Sequence, residues 1–295
     1  MKKTEEIKVS VCMIAYKHEA YIRQAIESIL AQDVDFPIEL VIGDDCSPDG
    51  TAAICEEFAR RDRRVRLLPR ERNLGVMPNF SRTLLACRGR YIAVCEGDDY
   101  WTTASKLRTQ VDFLDVHPDY AGATHQADVI VDGKIARQFR DNVPATLGTD
   151  DLIGARLFHM ASVMFRRPVV DVFCSAPLVL GCDRLLNFCI SFLGKIHYSE
   201  ERMCAYRLHA GGMSSNATIE LMKLELNSVP YLHRVQPGFP RYRYLSYVYA
   251  AIGLSRAARL DQRLYSLLLS FVYSFSSFPR NIGVIGTRAF KALFR

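Results

Sequence analysis

The stretch YIAVCEGDDYW, residues 91–101, passes from an apolar run directly into three acids and then two aromatic residues. A short, continuous apolar run is typical of a strand that is buried on both faces of a sheet. Turn formation does not require three acids within four residues, so Glu96, Asp98 and Asp99 favour a binding site where this strand ends.

The first 120 residues alternate between strand-like runs and helical patterns. The β-branched runs are 8–14, 38–42, 65–68 and 91–95. Helically spaced apolar residues lie between them, at 22–30, near 54–58 and at 80–87. Strands that alternate with helices predict a mostly parallel sheet with helices on both faces. Such sheets bind ligands beyond the carboxyl ends of their strands.

The pattern changes after residue 120. The dipeptide Asp132-Gly133 between two alternating runs predicts a hairpin. Further strands are predicted at 161–166, 196–199 and 204–209, around a helix near 181–193. From 217 onward the chain is predicted to be helical. The 49% content of hydrophobic residues excludes a disordered protein.

A second acidic pair supports the site. In IELVIGDDCSPDGT, residues 38–51, Asp44 and Asp45 follow the second strand, so both clusters should face the same edge of the sheet. Carboxylates in one cleft repel one another, and a divalent cation would compensate them. Oxygen ligands suit Mg²⁺ or Mn²⁺, which can hold a substrate diphosphate. Taken alone, SPDG is better explained as a turn with a helix cap.

Three segments, VSVCMIAYKHEAYIRQAIESILAQ (9–32), ELVIGDDCSPDGT (39–51) and YIAVCEGDDYWTTASKLRTQVDFLDVHP (91–118), resemble the successive motifs of bacterial family 2 glycosyltransferases. The resemblance implies an α/β fold of the GT-A (Rossmann-like) type, a mixed sheet flanked by helices with a helical C-terminal extension. It divides the chain into a nucleotide-sugar-binding half (1–122), an acceptor-binding half (123–216) and a basic helical region (217–295).

The resemblance also implies roles for single residues. Ala15 and Tyr16 would pack along the nucleotide, and Asp45 would contact its base. Glu96 stands where many relatives have the first Asp of a D-x-D motif, and it is assigned to the nucleotide-sugar site. Asp98 and Asp99 match the acids that touch the ribose and the metal ion, and which of them binds the metal stays open.

Three further residues have alternative interpretations. Asn73 would line the nucleotide pocket or form a turn. Asp183 matches the family's catalytic base, which takes the proton of the acceptor hydroxyl, although its position before a helical pattern also fits a cap. His209, in YRLHAGGMS, resembles a family histidine that approaches the metal, although an isolated histidine is more often structural.

Positive charge is concentrated at the C-terminal end. Residues 241–295 contain nine Lys or Arg and one acid, Asp261. This segment therefore carries about +8 and the rest of the chain about −2, which gives the net charge of +6. Basic amphipathic helices of this kind favour peripheral contact with an anionic membrane, but an ordinary helical cap over the domain is equally compatible. Nucleic acid is not expected as a partner, because no binding motif accompanies the charge.

Cysteine usage and the absence of an apolar span indicate a compartment. None of the nine cysteines forms a C-x-x-C pair, which suits free thiols in a reducing cytoplasm. No run reaches the roughly 18 apolar residues of a membrane-spanning helix, and no signal peptide is expected. The location predicted is therefore cytoplasmic, with possible attachment to the inner face of the cell membrane.

Together with the acidic clusters, the resemblance implies a metal-dependent, inverting glycosyltransferase of bacterial surface polysaccharide synthesis. Its donor would be a nucleotide sugar, with a UDP-sugar favoured, and its acceptor a glycan or a lipid-linked molecule. The alternative hypothesis is a non-catalytic nucleotide-sugar-binding protein that keeps the fold.

Overall fold

Four parallel strands form one half of the sheet and match the four runs that the sequence predicts. The computed structural model describes residues 6–69, 71–154, 156–177, 182–212, 219–255 and 258–275. The strands are β1 (Val9–Ala15), β2 (Ile38–Asp44), β3 (Val65–Leu67) and β4 (Tyr91–Val94). β1 lies parallel to β2 and β4, and β2 lies parallel to β3. Both acidic clusters therefore follow strands that end at one edge of the sheet.

Six more strands extend this half into one mixed sheet. They are β5 (Tyr100–Trp101), β6 (Tyr120–Val131), β7 (Lys134–Gln138), β8 (Thr146–Leu147), β9 (Met164–Arg166) and β10 (Lys195–Leu208). The order is β3-β2-β1-β4-β9-β6-β10-β5, with β7 beside β6 and β8 beside β10. The division proposed at residues 122 and 123 lies within β6, so one sheet joins the two halves.

Two predictions for the second half have different outcomes. The hairpin is confirmed: β6 and β7 pair antiparallel, and both turn residues, Asp132 and Gly133, have positive φ angles of 49° and 75°. The separate strands predicted at 196–199 and 204–209 are wrong, because β10 is one strand of 14 residues. Its register shifts between Ser199 and Cys204, where polar residues interrupt the apolar pattern and misled the prediction.

Helices cover both faces of the sheet, as predicted. They are α1 (Ile22–Leu30), α2 (Thr51–Arg61), α3 (Val76–Ala86), α4 (Lys106–Val116), α5 (Pro168–Cys174), α6 (Cys182–Leu193), α7 (Ile219–Leu224), α8 (Ser228–Val235), α9 (Arg241–Leu254) and α10 (Leu260–Phe275). Val11 and Met13 of β1 belong to one buried cluster, whereas Cys12 belongs to the other. A strand that is buried on both faces explains the continuous apolar run.

The C-terminal region is helical over the part of the chain that the structure describes. Predictions for Arg256 and for residues 276–295 lie outside the described residues. Among the described helices, none is both long enough and apolar enough to cross a bilayer. All nine cysteines are free.

Lys106 is buried beneath the acidic edge. Its side chain is fully buried, and its Nζ donates a hydrogen bond of 2.7 Å to Gln110 and lies 4.4 Å from the centre of the Trp101 ring. Burial lowers the pKa of Lys106 from 10.5 to about 8, because the charged form loses its hydration. Trp101 is itself 4% exposed, which confirms that it packs in the core.

The lowered pKa of Lys106 predicts a pH-dependent stability. Between about pH 8 and 10.5, Lys106 is protonated in the unfolded chain and deprotonated in the folded chain. The free energy of unfolding of the wild type therefore rises with pH across this window, and this gain is lost as the pH falls back through it. Lys106→Met removes this term. We expect the difference in unfolding free energy between wild type and variant to shift by about 1 to 3 kcal/mol in favour of the wild type between pH 7.5 and 10. Urea unfolding at the two pH values measures it, and an unchanged difference would contradict it.

Candidate active site

A cavity of about 580 Å³ lies at the edge where β1, β2 and β4 end. Residues from both halves of the sheet line it. Of the residues singled out in the sequence, the lining includes Ala15, Tyr16, Asp45, Glu96, Asp98, Asp183 and His209. Asn73 and Asp99 are described by the structure but are not among the lining residues. One concave site thus collects side chains from the ends of several elements, as expected for a ligand site in an open α/β sheet.

The carboxylate of Asp98 lies close to two histidines. Its Oδ2 lies 3.2 Å from Nε2 of His209 and 3.6 Å from Nε2 of His18. Ligand atoms that share one Mg²⁺ or Mn²⁺ ion lie about 3 Å apart, because they sit roughly 2 Å from it. The carboxylate and imidazole donors at this point of the cavity therefore fit a divalent cation.

Asp99 is 1% exposed and is not among the residues that line the cavity. Its Oδ1 accepts a hydrogen bond of 2.9 Å from the backbone N–H of Arg207, and its Oδ2 lies 3.4 Å from Nδ1 of His159. Within the described residues, this buried Oδ2 has no hydrogen-bond partner. Burial and the negative charges of Asp98 and Glu96 raise the pKa of Asp99 well above its usual value.

Glu96, Asp99 and His159 form a second candidate metal group. One ligand atom from each lies within 4.8 Å of the others. Burial, followed by the negative charges of Asp98 and Asp183, raises the pKa of Glu96 to about 8. Burial lowers the pKa of His159 to about 4, so its imidazole is neutral at neutral pH and able to act as a ligand.

Asp45 stabilises the loop between β3 and α3 through hydrogen bonds. Its carboxylate accepts hydrogen bonds from the backbone N–H groups of Leu74 (2.7 Å) and Gly75 (2.9 Å). The Asn73 side chain donates to the backbone carbonyl of Asp45 at 2.9 Å. In this structure Asn73 links the loop beyond β3 to the end of β2, and Asn79 of α3 is among the residues that line the cavity.

The Asp45 contacts predict a loss of stability when the carboxylate is removed. Asp45 is 5% exposed, so Asp45→Ala leaves the N–H groups of Leu74 and Gly75 without their acceptor. We expect the free energy of unfolding to fall by about 2 kcal/mol, measured by urea denaturation. Asp33→Ala, at an exposed aspartate near α1, is the control and should change stability by less than about 0.5 kcal/mol. Equal effects of the two substitutions would contradict the assignment.

Ala15 and Tyr16 continue β1 into the cavity. The carbonyl of Ala15 accepts a hydrogen bond from the N–H of Asp45, which joins the ends of β1 and β2. Tyr16 is 42% exposed, and Lys17, whose φ is 60°, places its Nζ 5.1 Å from the Tyr16 ring centre. An exposed aromatic ring beside the cavity gives a flat apolar surface for a ligand.

Asp183 lies in the first turn of α6 and faces the cavity. Its Oδ1 accepts a hydrogen bond of 2.9 Å from the N–H of Arg184, and its Oδ2 lies 3.0 Å from Nε of Arg156. Arg156 therefore holds the carboxylate in place. These contacts fit both a helix-end role and a proton acceptor.

Several cavity residues escaped the sequence interpretation. His18 lies two residues after Tyr16, which was assigned to the nucleotide, and that position was a usable signal. Arg156 and His159 lie between two 3₁₀ turns, Asp151–Ile153 and Met160–Ser162, in a segment without periodicity. Arg207 also lines the cavity. Its Nη1 donates to the backbone carbonyl of Asp98 at 2.6 Å, and its guanidinium lies 4.3 Å from the ring centre of Tyr100. It therefore shapes the acidic turn.

Comparison with known proteins identifies the family of this fold and site. The family model described as glycosyl transferase family 2 matches residues 10–172, which is more than half of the chain. The chain belongs to glycosyl transferase family 2. Both acidic clusters lie inside the matched region.

Two relatives in the family place the chain among bacterial proteins. It is 37% identical over 219 residues to the protein Rv1520 of Mycobacterium tuberculosis, an alignment that covers 73% of this chain and 63% of that protein. It is 30% identical over 159 residues to the putative teichuronic acid biosynthesis glycosyltransferase TuaG of Bacillus subtilis, which covers 54% of this chain and 62% of TuaG. The chain thus spans less than two thirds of the length of these relatives.

Solved structures confirm the predicted fold class. S. aureus TarS, crystallised with UDP-GlcNAc, superposes with a TM-score of 0.71 at 17% identity over 90% of this chain and 81% of that one. The mannosyltransferase PcManGT from Pyrobaculum calidifontis, in complex with GDP-Man and Mn²⁺, gives a TM-score of 0.59 at 16% identity over 99% and 84% of the two chains. The mixed sheet with flanking helices is therefore the GT-A arrangement of this family.

Proposed function

We propose that this protein is a metal-dependent, inverting glycosyltransferase. It transfers a sugar from a nucleotide diphosphate donor to a glycan or lipid-linked acceptor in bacterial surface polysaccharide synthesis. One observation carries the proposal: Asp98, His209 and Asp183, from three separate elements, line the same cavity at the carboxyl edge of the sheet. Membership of the family and the name of the relative TuaG support the reaction class and its setting.

The donor would bind between the ends of β1, β2 and β4. Tyr16 offers an apolar ring to the nucleoside, while Ala15 has a side chain small enough to leave room beside it. Asp45 would contact the base and keep the loop at Leu74 and Gly75 in position. Asn73 contributes through its hydrogen bond to Asp45, and Glu96 and Asp98 would face the ribose and diphosphate.

A divalent cation, Mn²⁺ or Mg²⁺, would be held by Asp98 and His209. Both side chains are about one-sixth exposed in the cavity, which leaves them accessible to a diphosphate, whereas Asp99 is buried behind them. When bound, the cation neutralises charge that develops on the departing diphosphate. We therefore assign Asp98 rather than Asp99 as the metal ligand and give Asp99 the role of fixing the backbone of Arg207.

Asp183 would serve as the base. Inversion requires the acceptor hydroxyl to attack the sugar on the face opposite the leaving diphosphate, with its proton taken up during the attack. Asp183 approaches the cavity from helix α6 in the second half of the chain, whereas Asp45 and Asp98 belong to the first half. Its ion pair with Arg156, 3.0 Å from Nε to Oδ2, positions the carboxylate to accept a proton.

A donor panel tests the proposal. Full-length protein is incubated with UDP-, GDP- and dTDP-sugars, with and without Mn²⁺, and free nucleoside diphosphate is measured in the presence of candidate acceptors. We expect release from one donor class, with UDP-sugars favoured, and loss of release when EDTA removes the cation. Donor binding without any turnover would instead support a non-catalytic nucleotide-sugar-binding protein.

A further inference from the structure

The outward face of α10 is apolar to a degree unusual for a helix in contact with water. This outward face consists of Leu260, Leu264, Tyr265, Leu268, Phe271, Val272 and Phe275. Each of these side chains is between 49% and 72% exposed. At 100° per residue they occupy an arc of about 140° around the helix. Contiguous apolar patches of this kind mark interaction sites.

The inward face of α10 has the opposite character. Ser266 and Ser270 are buried there, and Ser270 exchanges hydrogen bonds with Ser246 of α9: Ser246 Oγ donates to the Ser270 carbonyl at 2.9 Å, and Ser270 Oγ donates to the Ser246 carbonyl at 2.8 Å. The two helices also approach closely at Gly253, where an added Cβ would lie 2.8 Å from Cγ of Leu267. The contact with α9 thus uses small and hydroxyl residues, and the seven large apolar side chains of the outward face stay exposed.

Charge indicates which apolar environment is involved. Residues 241–295 carry nine basic residues and one acid, and that acid, Asp261, is paired with Arg259 at 2.9 Å. The sequence segment that contains α10 is therefore cationic, and positive charge together with an exposed apolar face is complementary to a lipid surface that bears negative headgroups. No helix in the described ranges is suited to cross the bilayer, so contact would be in the plane of the interface.

We propose that the outward face of α10 docks on the surface of an anionic lipid bilayer and holds the protein there. The apolar side chains enter the boundary between headgroups and acyl chains, and the basic residues of the segment contact the headgroups. This proposal does not depend on the transfer reaction, since it concerns a surface outside the catalytic cavity.

Vesicle sedimentation with the full chain tests the proposal. Phosphatidylcholine vesicles are compared with vesicles of equal parts phosphatidylcholine and phosphatidylglycerol, at low and high salt. We expect binding to the anionic vesicles that weakens with salt, and a loss of about tenfold or more in partitioning for Leu264→Gln combined with Leu268→Gln. A second pair, Leu260→Gln with Tyr265→Gln, gives the same test if the first pair fails to fold.

A matched control separates this surface from exposed apolar residues in general. Leu85 lies on α3, and Val116 is the last residue of α4. Their side chains are 57% and 70% exposed. Leu85→Gln combined with Val116→Gln should bind vesicles as the wild type does. Three results would overturn the proposal. They are no binding of the wild type to anionic vesicles, unchanged binding of the double variant in α10, and an equal loss of binding in the control double variant. A concentration-dependent dimer that the α10 pair abolishes, without vesicle binding by the wild type, would assign the face to a second copy and also overturn it.

Discussion

Asp98→Asn should lower kcat/KM by about 10³-fold while leaving the fold intact. The substitution keeps the size of the side chain but removes the charge that Oδ2 presents to His209 and His18. Without that charge the cavity loses its principal attraction for a divalent cation. Steady-state assays with the donor that the wild type accepts, across a range of Mn²⁺ concentrations, measure the effect.

Asp112→Asn is the matched control for this prediction. Asp112 lies on the exposed side of α4, away from the cavity, and its substitution should leave kcat/KM unchanged. Asp99→Asn provides the comparison within the acidic turn. If Asp99→Asn removed the response to Mn²⁺ and Asp98→Asn kept it, the ligand assignment would be reversed in favour of the group formed by Glu96, Asp99 and His159.

Asp183→Asn should reduce turnover by about 10² to 10⁴-fold and leave donor binding near its wild-type value. An amide cannot accept the acceptor's proton, whereas the donor contacts come from the ends of β1, β2 and β4. Initial rates give the first quantity, and calorimetric titration with the nucleotide sugar and Mn²⁺ gives the second.

The capping interpretation of Asp183 makes a different prediction. A carboxylate that only stabilises the start of α6 would change the melting temperature and not the rate of the folded enzyme. Asp171→Asn is the control, because Asp171 occupies the first turn of α5 and is exposed. Asp183→Asn that behaved like Asp171→Asn, with full activity and a small shift in melting temperature, would exclude Asp183 as the base.

The sequence predicts the first half of the fold well because its signals are local. The runs at 8–14 and 91–95 are continuous since β1 and β4 are covered on both faces, and the helical spacing from Ile22 onward coincides with the buried side of α1. The hairpin is equally local, because Asp132-Gly133 defines its turn. The interruption within β10 has no such signature, since its register depends on pairing with β6 across more than 70 residues of sequence.

Residue types in the site were easier to predict than their orientations. That Asp98 and Asp99 belong to one acidic turn follows from the sequence, but the direction of each side chain depends on the partner strand. The N–H of Arg207 in β10 draws the carboxylate of Asp99 inward, and Asp98 is left facing the cavity. His159 and Arg156 were not found, because only the folding of a distant, aperiodic segment brings them to the acids.

Asp99 also shows why sequence motifs alone leave the metal ligands ambiguous. A motif with two adjacent acids offers two ligands of the same type, whereas the structure separates them by exposure: Asp99 is 1% exposed and Asp98 lines the cavity. Ligand access is a property of the folded chain. The sequence motif therefore supports a metal site but does not indicate which of the two carboxylates binds the metal.

A crystal soaked with Mn²⁺ and the nucleoside diphosphate of the accepted donor tests the central claim most directly. Anomalous scattering locates the manganese independently of the protein model. We expect one peak in contact with Asp98 and His209, with the diphosphate beside it in the cavity. A peak among Glu96, Asp99 and His159 with none at Asp98, or a diphosphate bound with no manganese at this edge, would contradict it.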